Sequence, residues 1–588
     1  MHDTLIKGGR VVDGTGAPPR TADIAIRDGR IAEIGRVSGP ARRTIDADGA
    51  IVTPGFIDPH THYDGQITWD DRFDQSFPHG VTTIVAGNCG VGFAPVKPEH
   101  RQELIELMEG VEDIPGVTLT QGMAWDWRTF GDYLDRLANR RYTMDVAVQL
   151  THSPLRVFVM GERALRHEDA TADDLEAMCQ IVREAMAAGA VGFSGGRLVG
   201  HRSSTGKHVP GTFAARDELV TLAKAMGEGG RGVFQIVPKG AVGDFGGQEA
   251  GRDARLEEHR LYEEIVAASG RPLTYSLVQF SSDPGDFDMM LGESRKAFDA
   301  GLRIHPQTST RGTGLLTTLD GYHLFLMRPS YRAIEHLPLA ERARAMRDPQ
   351  VRAAILRETD EVGDYAQQPT VLTMLRHLPG ELPDTYVLTS PLDHEPTPDR
   401  CVGALAKAAG KTPEEFIYDF YTEGDGRNFN LTIFADYAQG SLDFVPAALA
   451  HPNVICGLGD GGAHVRLITD SAMPTFQIAF WTRERTRGAH VPIETLVNKL
   501  TGAPADLYGL HDRGVLAHGK RADINIIDHA RLNLSPPHIV HDLPGGAARL
   551  LQESQGYLAT LVAGEATRLD DADTGARPGR LLRGTTAA

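Results

Sequence analysis

Residues 52–64 read VTPGFIDPHTHYD. From Gly55 to His62 the run has strand character, opened by Pro54-Gly55 and ending on two histidines two positions apart. Side chains alternate across a strand, so His60 and His62 face the same way and point together into whatever lies beyond the strand's end. Two nitrogen donors at that spacing suit Zn2+ or a similar borderline metal that takes one or two further ligands from elsewhere. A chain with 23 histidines also produces such a pair by chance, so the neighbouring segments carry the weight.

Outward from this run the same texture repeats: apolar strand, polar loop, helix. Strands are expected at Gly55 to His62, Val81 to Ala86, Asp145 to Leu150, Ala190 to Ser194, Gly232 to Val237, Pro272 to Val278, Leu302 to Gln307 and Val454 to Leu458. Between two of them, Ala172 to Ala188 spaces Leu175, Met178, Ile181, Val182 and Met186 by three and four, with Thr171 and Asp173-Asp174 as a cap region. A second stripe runs through Leu219, Leu222, Ala223 and Met226. Alternating strands and helices imply parallel strands, and a parallel sheet closed on itself keeps its chemistry at the strands' C-terminal ends. The expected fold class is therefore α/β, a (β/α)8 TIM-like barrel over residues 55–511.

The chain ends differ. Residues 1–54 hold short β-rich runs with Gly/Asp turns (Thr4 to Ile6, Arg10 to Val12, Asp23 to Ile26, Arg30 to Ile34, Ile51 to Val52), and 512–570 hold Ala522 to Ile527 and Tyr557 to Val562. Together they are expected to form one small β-sandwich. Residues from about 308 to 430 depart from the barrel rhythm and read as an insertion that roofs the site, while 571–588 lack apolar period and read as an extended or loosely held tail.

Composition narrows the partners. The chain of 588 residues carries 78 acidic against 60 basic residues, net −18, with no Lys/Arg run that would track phosphates, so nucleic acid is excluded. No apolar stretch is long enough to span a bilayer, no signal-peptide pattern opens the chain, and four scattered cysteines form no disulfide framework. A cytoplasmic enzyme on a small-molecule substrate is expected, with monomer and homo-oligomer both open.

Two more motifs bear on chemistry. Gly459-Asp460-Gly461-Gly462-Ala463-His464 follows the last expected strand, and in a closed barrel the last strand lies beside the first. Asp460 is thereby brought to His60 and His62, where it can touch the metal and take a proton from bound water; as an isolated motif it is simply a turn. Cys89, in Ala86-Gly87-Asn88-Cys89-Gly90 at the end of strand two, is a soft third ligand, a bridge between two metals, or an inert buried thiol.

With these residues in view, VTPGFIDPHTHYD, GNCGVGFAPV, the LPGG-containing C-terminal sheet and DRGVLAHGKRADINIID resemble the N-acyl-D-amino-acid deacylase (D-aminoacylase) branch of the amidohydrolase superfamily, from residue 3 to about 582. The resemblance implies a zinc-dependent barrel with a terminal β-sandwich that hydrolyses an N-acyl amide on a D-amino acid. It matches His60 and His62 to the strand-one metal pair, Cys89 to an unusual cysteine ligand, Asp460 to the catalytic aspartate, and His152 to a histidine near substrate.

The sequence also departs from that pattern. Gln235 and Leu277 stand where relatives carry metal-binding histidines on strands five and six, and Gln279 replaces a lysine that helps bind the substrate carboxylate. A leucine cannot ligate, so one metal is expected, held by His60, His62 and Asp460 with Cys89 as a fourth ligand. Arg202, Arg311 and Lys239 are alternatives for the missing lysine. The expected mechanism is metal-activated water with Asp460 as general base and then acid, and with His152, Gln235, His201 and Arg202 around the substrate. The same ligand set also serves a cyclic amide hydrolase, a deaminase or a non-hydrolytic enzyme, and the two lost histidines leave an inactive binding scaffold as the remaining alternative.

Overall fold

Gly55 starts the first parallel strand at a point where no side chain fits, since a Cβ there would fall 2.2 Å from Thr82 Oγ1. The computed structural model, which describes residues 1–240 and 251–584, sets that strand, Phe56–Asp58, against Val81–Ala86, with Ile57 beside Thr83. Val81–Ala86 in turn pairs with Asp145–Val148. After the break at Gln149 the chain continues as Leu150–Thr151, which opens a six-stranded parallel sheet through Gly192–Gly196, Val233–Val237, Leu273–Ser276, Ile304–Thr308 and Ile455–Cys456. Every neighbour in this series is parallel and follows in chain order, the pattern that crossover helices impose.

Helix Ala172–Ala188 spans the residues its period predicts and starts with a capping box between Thr171 and Asp174. The second predicted stripe lies on Arg216–Gly227, and both helices bury their apolar faces in the main core. The strands are shorter than the sequence suggests at several ends. Phe56–Asp58 ends as a strand before the histidines, and past Pro59 the chain stays between its neighbours, with Thr61 N–H reaching Val85 O and Thr61 bridging Gly461 in the strand-eight loop.

The two chain ends share a nine-stranded sheet, in which Ile51–Pro54 pairs antiparallel with Ile524–Ile527, so residues far apart in sequence complete one ladder. Its core gathers Ile6, Ile24, Ile26, Val52, Ile524, Ile526 and Leu561. Gly8-Gly9 makes a register break inside one long strand, His2–Val11, where two short runs were expected.

The insertion is a unit of its own. Thr313–Thr317, Tyr386–Val387 and Asn430–Ala435 form an antiparallel sheet, and Phe325, Tyr331, Met346, Tyr418 and Tyr421 pack a separate core. It extends past residue 430 because its last strand returns to pair with its first. Two contacts fasten it over the strands' C-terminal side: Tyr322 Oη donates to Asp113 Oδ1 (3.0 Å), and Thr370 Oγ1 donates to the Ser203 carbonyl (3.1 Å).

The tail is extended and fastened. Tyr142 and Gly579 exchange backbone hydrogen bonds, Leu582 N–H donates to Val146 O (2.7 Å), and Arg580 N–H donates to Asp145 Oδ1 (2.8 Å). The last four residues of the expected arm, 585–588, lie outside the described residues.

Candidate metal centre

His60-Thr61-His62 lies just past the first strand, held extended from both sides. Thr61 N–H donates to Val85 O (3.1 Å), and Thr61 forms a parallel bridge with Gly461. Asp460 N–H donates to His60 O (3.0 Å), and His62 N–H donates to Gly461 O (2.8 Å). The first strand's end and the loop after the eighth are thus stitched together, bringing Asp460 to the two histidines.

The side chains converge. His60 Nε2 is 3.3 Å and His62 Nε2 is 3.6 Å from Cys89 Sγ, and the donor atoms of these three buried residues all lie within 4.8 Å of one another. Asp460 Oδ1 stands 3.4 Å from His60 Nε2 and 3.6 Å from His62 Nε2. A four-coordinate zinc with Zn–N of about 2.0–2.1 Å and Zn–S of about 2.3 Å requires tetrahedral edges of about 3.3–3.6 Å. The edges from Cys89 Sγ and from Asp460 Oδ1 to the two imidazoles have that length, while the donors that all lie within 4.8 Å of one another are His60, His62 and Cys89, with Asp460 beside them on the imidazole side; they include the soft sulfur and imidazole types that hold such an ion.

Neighbours fix each donor's orientation. His60 Nδ1 bonds Gln307 Oε1 (2.9 Å), which leaves Nε2 to face the cluster. Asp58 Oδ1 accepts His60 N–H (3.1 Å), and Gly459 packs so closely that a Cβ would lie 2.5 Å from Asp58 Oδ2. Cys89 sits in the left-handed region (φ 57°), and its N–H donates to Gln235 Oε1 (2.9 Å).

The electrostatics favour a cation. Burial, reinforced by Glu112, Asp460 and Asp64, pushes the Cys89 thiol well above its ordinary value, so a thiolate here needs positive charge beside it. Burial raises Asp58 and Asp64 to about 7. For Asp460 burial also acts upward, but His60, then His62 and His464, bring it down to about 2 and keep it ionised. Burial lowers His62 to about 4, which keeps its imidazole neutral, the form in which it could ligate a metal.

Of the expected substrate contacts, Gln235 is buried beside Cys89, and its Nε2 has no hydrogen-bond partner among the described residues. His201 faces the same group: burial, then the charges of His464 and His62, lowers it to about 3. His152 is engaged elsewhere, its Nε2 bonded to Glu218 Oε1 (2.7 Å) in a buried network with Arg156. Arg202 donates Nη1 to Gly206 O (3.0 Å) within its own loop. Among the alternatives for the missing lysine, Arg311 is ion-paired with Asp470 and Lys239 is exposed. Leu277 is buried and apolar.

Sequence reading passed over Asp58, Gln307 and Glu112. Gln307 lies two residues past His305 on the same strand, and His305 bonds Asn453 O (3.0 Å) and meets Phe298 edge-on. Glu112 precedes Asp113-Ile114-Pro115, a pattern that signals only a helix end.

The family model described as "Amidohydrolase family" matches residues 43–567. The D-aminoacylase of Alcaligenes xylosoxydans xylosoxydans is 26% identical over 587 residues, covering 100% of this chain and 98% of its own. Among solved structures, a D-aminoacylase with a binuclear metal centre superposes with a TM-score of 0.64 at 22% identity, covering 99% of this chain and 100% of its own. The N-acyl-D-glutamate deacylase of Bordetella bronchiseptica, complexed with zinc and a phosphonate inhibitor, gives 0.62 at 23% identity, with 99% of each chain covered. Converging histidines, cysteine and aspartate at the ends of parallel strands, together with a match running through most of the sequence, mean that the chain belongs to the amidohydrolase family and is a metal-dependent hydrolase of carbon–nitrogen bonds other than peptide bonds.

Proposed function

We propose that this protein is a zinc-dependent deacylase of N-acyl-D-amino acids or closely related N-acyl amides, with one ion held by His60, His62, Cys89 and Asp460. The observation that carries the reading is the convergence of His60, His62 and Cys89 from the ends of strands one and two, with the strand-eight Asp460 at 3.4 and 3.6 Å from the two imidazoles. It implies that the parallel strands form one closed (β/α)8 barrel over residues 55–511, capped by a β-sandwich built from 1–54 and 512–570. Support for a single ion comes from strands five and six, where Gln235 spends its Oε1 on Cys89 N–H and Leu277 has no donor. The substrate class rests on the full-length likeness to D-aminoacylase. Among the described residues no helix is long and apolar enough to cross a membrane, and the cysteines are free, in keeping with a cytoplasmic enzyme.

Bound there, zinc would supply Lewis acidity and make water a nucleophile near neutral pH. Asp460, kept ionised, accepts the proton of the attacking water as its oxygen adds to the acyl carbon. The same carboxyl then delivers that proton to the amide nitrogen as the C–N bond breaks, releasing a carboxylic acid and an amine. The Nε2–H of Gln235, without a hydrogen-bond partner among the described residues and beside Cys89, is a neutral donor for the developing oxyanion, and His201 lies within reach of the charges of the same group. His152 and Arg202 are left out of this step, since His152 Nε2 is bonded to Glu218 and Arg202 donates to Gly206 O within its own loop.

The test couples metal quantification with a screen of N-acyl-D- and N-acyl-L-amino acids, cyclic imides and small peptides. Stoichiometric zinc with release of free D-amino acid is expected. Ring opening alone would assign the cyclic-amide alternative, and a protein without metal that gains no activity from added Zn2+ would be a scaffold.

A further inference from the structure

Glu112 is the last residue of helix Arg101–Glu112 and is buried. A carboxylate there is doubly disfavoured: it loses its hydration, and it adds negative charge to the helix end that is already negative.

Its contacts are with the metal centre. Glu112 Oε1 lies 3.2 Å from His62 Nδ1, and Oε2 lies 3.8 Å from His464 Nε2. At 3.2 Å the two atoms are within contact distance but do not align as a hydrogen bond, and among the described residues neither His62 Nδ1 nor Glu112 Oε1 has a hydrogen-bond partner. The backbone supports the same geometry: His464 N–H donates to Glu112 O, joining the helix end to the loop that carries Asp460. Asp113 then turns the chain through the left-handed region (φ 48°) and accepts from Tyr322 and Arg466. Helix end, strand-eight loop and insertion all meet at Glu112-Asp113.

We propose that Glu112 is the positioning residue of the metal centre, holding the Nδ1–H edge of His62 so that Nε2 is presented to the ion while its second oxygen tethers His464. The proposal rests on the reading of His62 as a ligand. The two ligand histidines then differ in kind, since His60 is backed by the neutral Gln307 amide and His62 by a carboxylate, which makes its imidazole the stronger donor.

The test is Co2+ affinity of the full-length apoprotein, measured by competition with a chromophoric chelator, alongside the thermal midpoint of the same apoprotein. Glu112→Ala is expected to weaken Co2+ binding by about 10–100-fold while the thiolate–Co2+ absorption from Cys89 persists. Glu112→Gln matches the native shape and keeps an acceptor but not the charge, so it is expected to lose less, on the order of 10-fold or below. It serves as the deciding variant if the alanine form does not fold. Wild-type affinity in the folded variants, with only the apoprotein midpoint lowered, would mean a purely structural role and overturn the proposal. A wild-type protein that binds no Co2+ would instead remove the metal reading itself, and this proposal with it.

Discussion

Replacing Cys89 with serine tests the ligand set most directly. The substitution keeps the backbone bond from residue 89 N–H to Gln235 Oε1 and leaves the left-handed backbone conformation as it is, so the loop is expected to hold. What it removes is the sulfur 3.3 Å and 3.6 Å from the two histidine nitrogens, replacing an anionic donor by a neutral hydroxyl. Four-ligand zinc sites bind with about 10–16 kcal/mol, or roughly 2.5–4 kcal/mol per ligand, which corresponds to about 10²–10³-fold in affinity. Cys89 and Asp460 are the two anionic donors of the set, which places the loss toward the upper end. Chelator competition with Zn2+ reads the affinity, and the Co2+-substituted protein reads the bond itself through its thiolate charge-transfer absorption. Serine variants that bind zinc as tightly as the wild type, or a Co2+ spectrum unchanged by the substitution, would refute the assignment of Cys89 as a ligand.

Three further outcomes are expected. Asp460→Asn keeps an oxygen near both histidines but removes the base, so kcat is expected to fall by about 10²–10⁴ with the fold intact; turnover within tenfold of wild type on an N-acyl-D-amino acid would reject the base assignment. Gly459→Ala drives a Cβ to 2.5 Å from the buried Asp58 carboxylate that braces His60, with an expected loss of about 1–3 kcal/mol and weaker metal binding; a denaturation curve like the wild type's counts against the packing reasoning. For Glu218 burial acts upward, but His152 and then Arg156 bring its carboxyl from 4.5 down to about 2, so its stabilisation is complete above 4.5 and fades as pH falls through about 2. Glu218→Gln leaves Arg156 buried without its anion, at an expected cost of about 3–5 kcal/mol near neutral pH that shrinks on acidification; thermal midpoints whose gap to wild type stays constant from pH 7 to pH 3 would show that the ion pair is not responsible.

What was legible in the sequence follows from chain-local chemistry. Helix Ala172–Ala188 announces itself through three- and four-residue spacing and a Thr171 cap, and strand Val81–Ala86 through the β-branched run Val81 to Val85 followed by Ala86 and Gly87, because both patterns are set by neighbours a few positions away. The two histidines at positions 60 and 62 and the aspartate at 460 were readable as donor types for the same reason.

Contacts between segments distant in the chain were not readable. Only the folded chain brings Gly461 against Thr61, sets the Gln307 amide behind His60, and turns Glu112, at an otherwise ordinary helix end, toward His62. Only the folded chain commits His152 to Glu218 and Arg311 to Asp470. A side chain's type is fixed by the sequence position, but its partner is decided by which strands and loops meet, and that depends on the register of the whole parallel sheet and the path of a long insertion. Donor identity was therefore determined locally, whereas coordination geometry and the backing of each ligand came from tertiary structure alone.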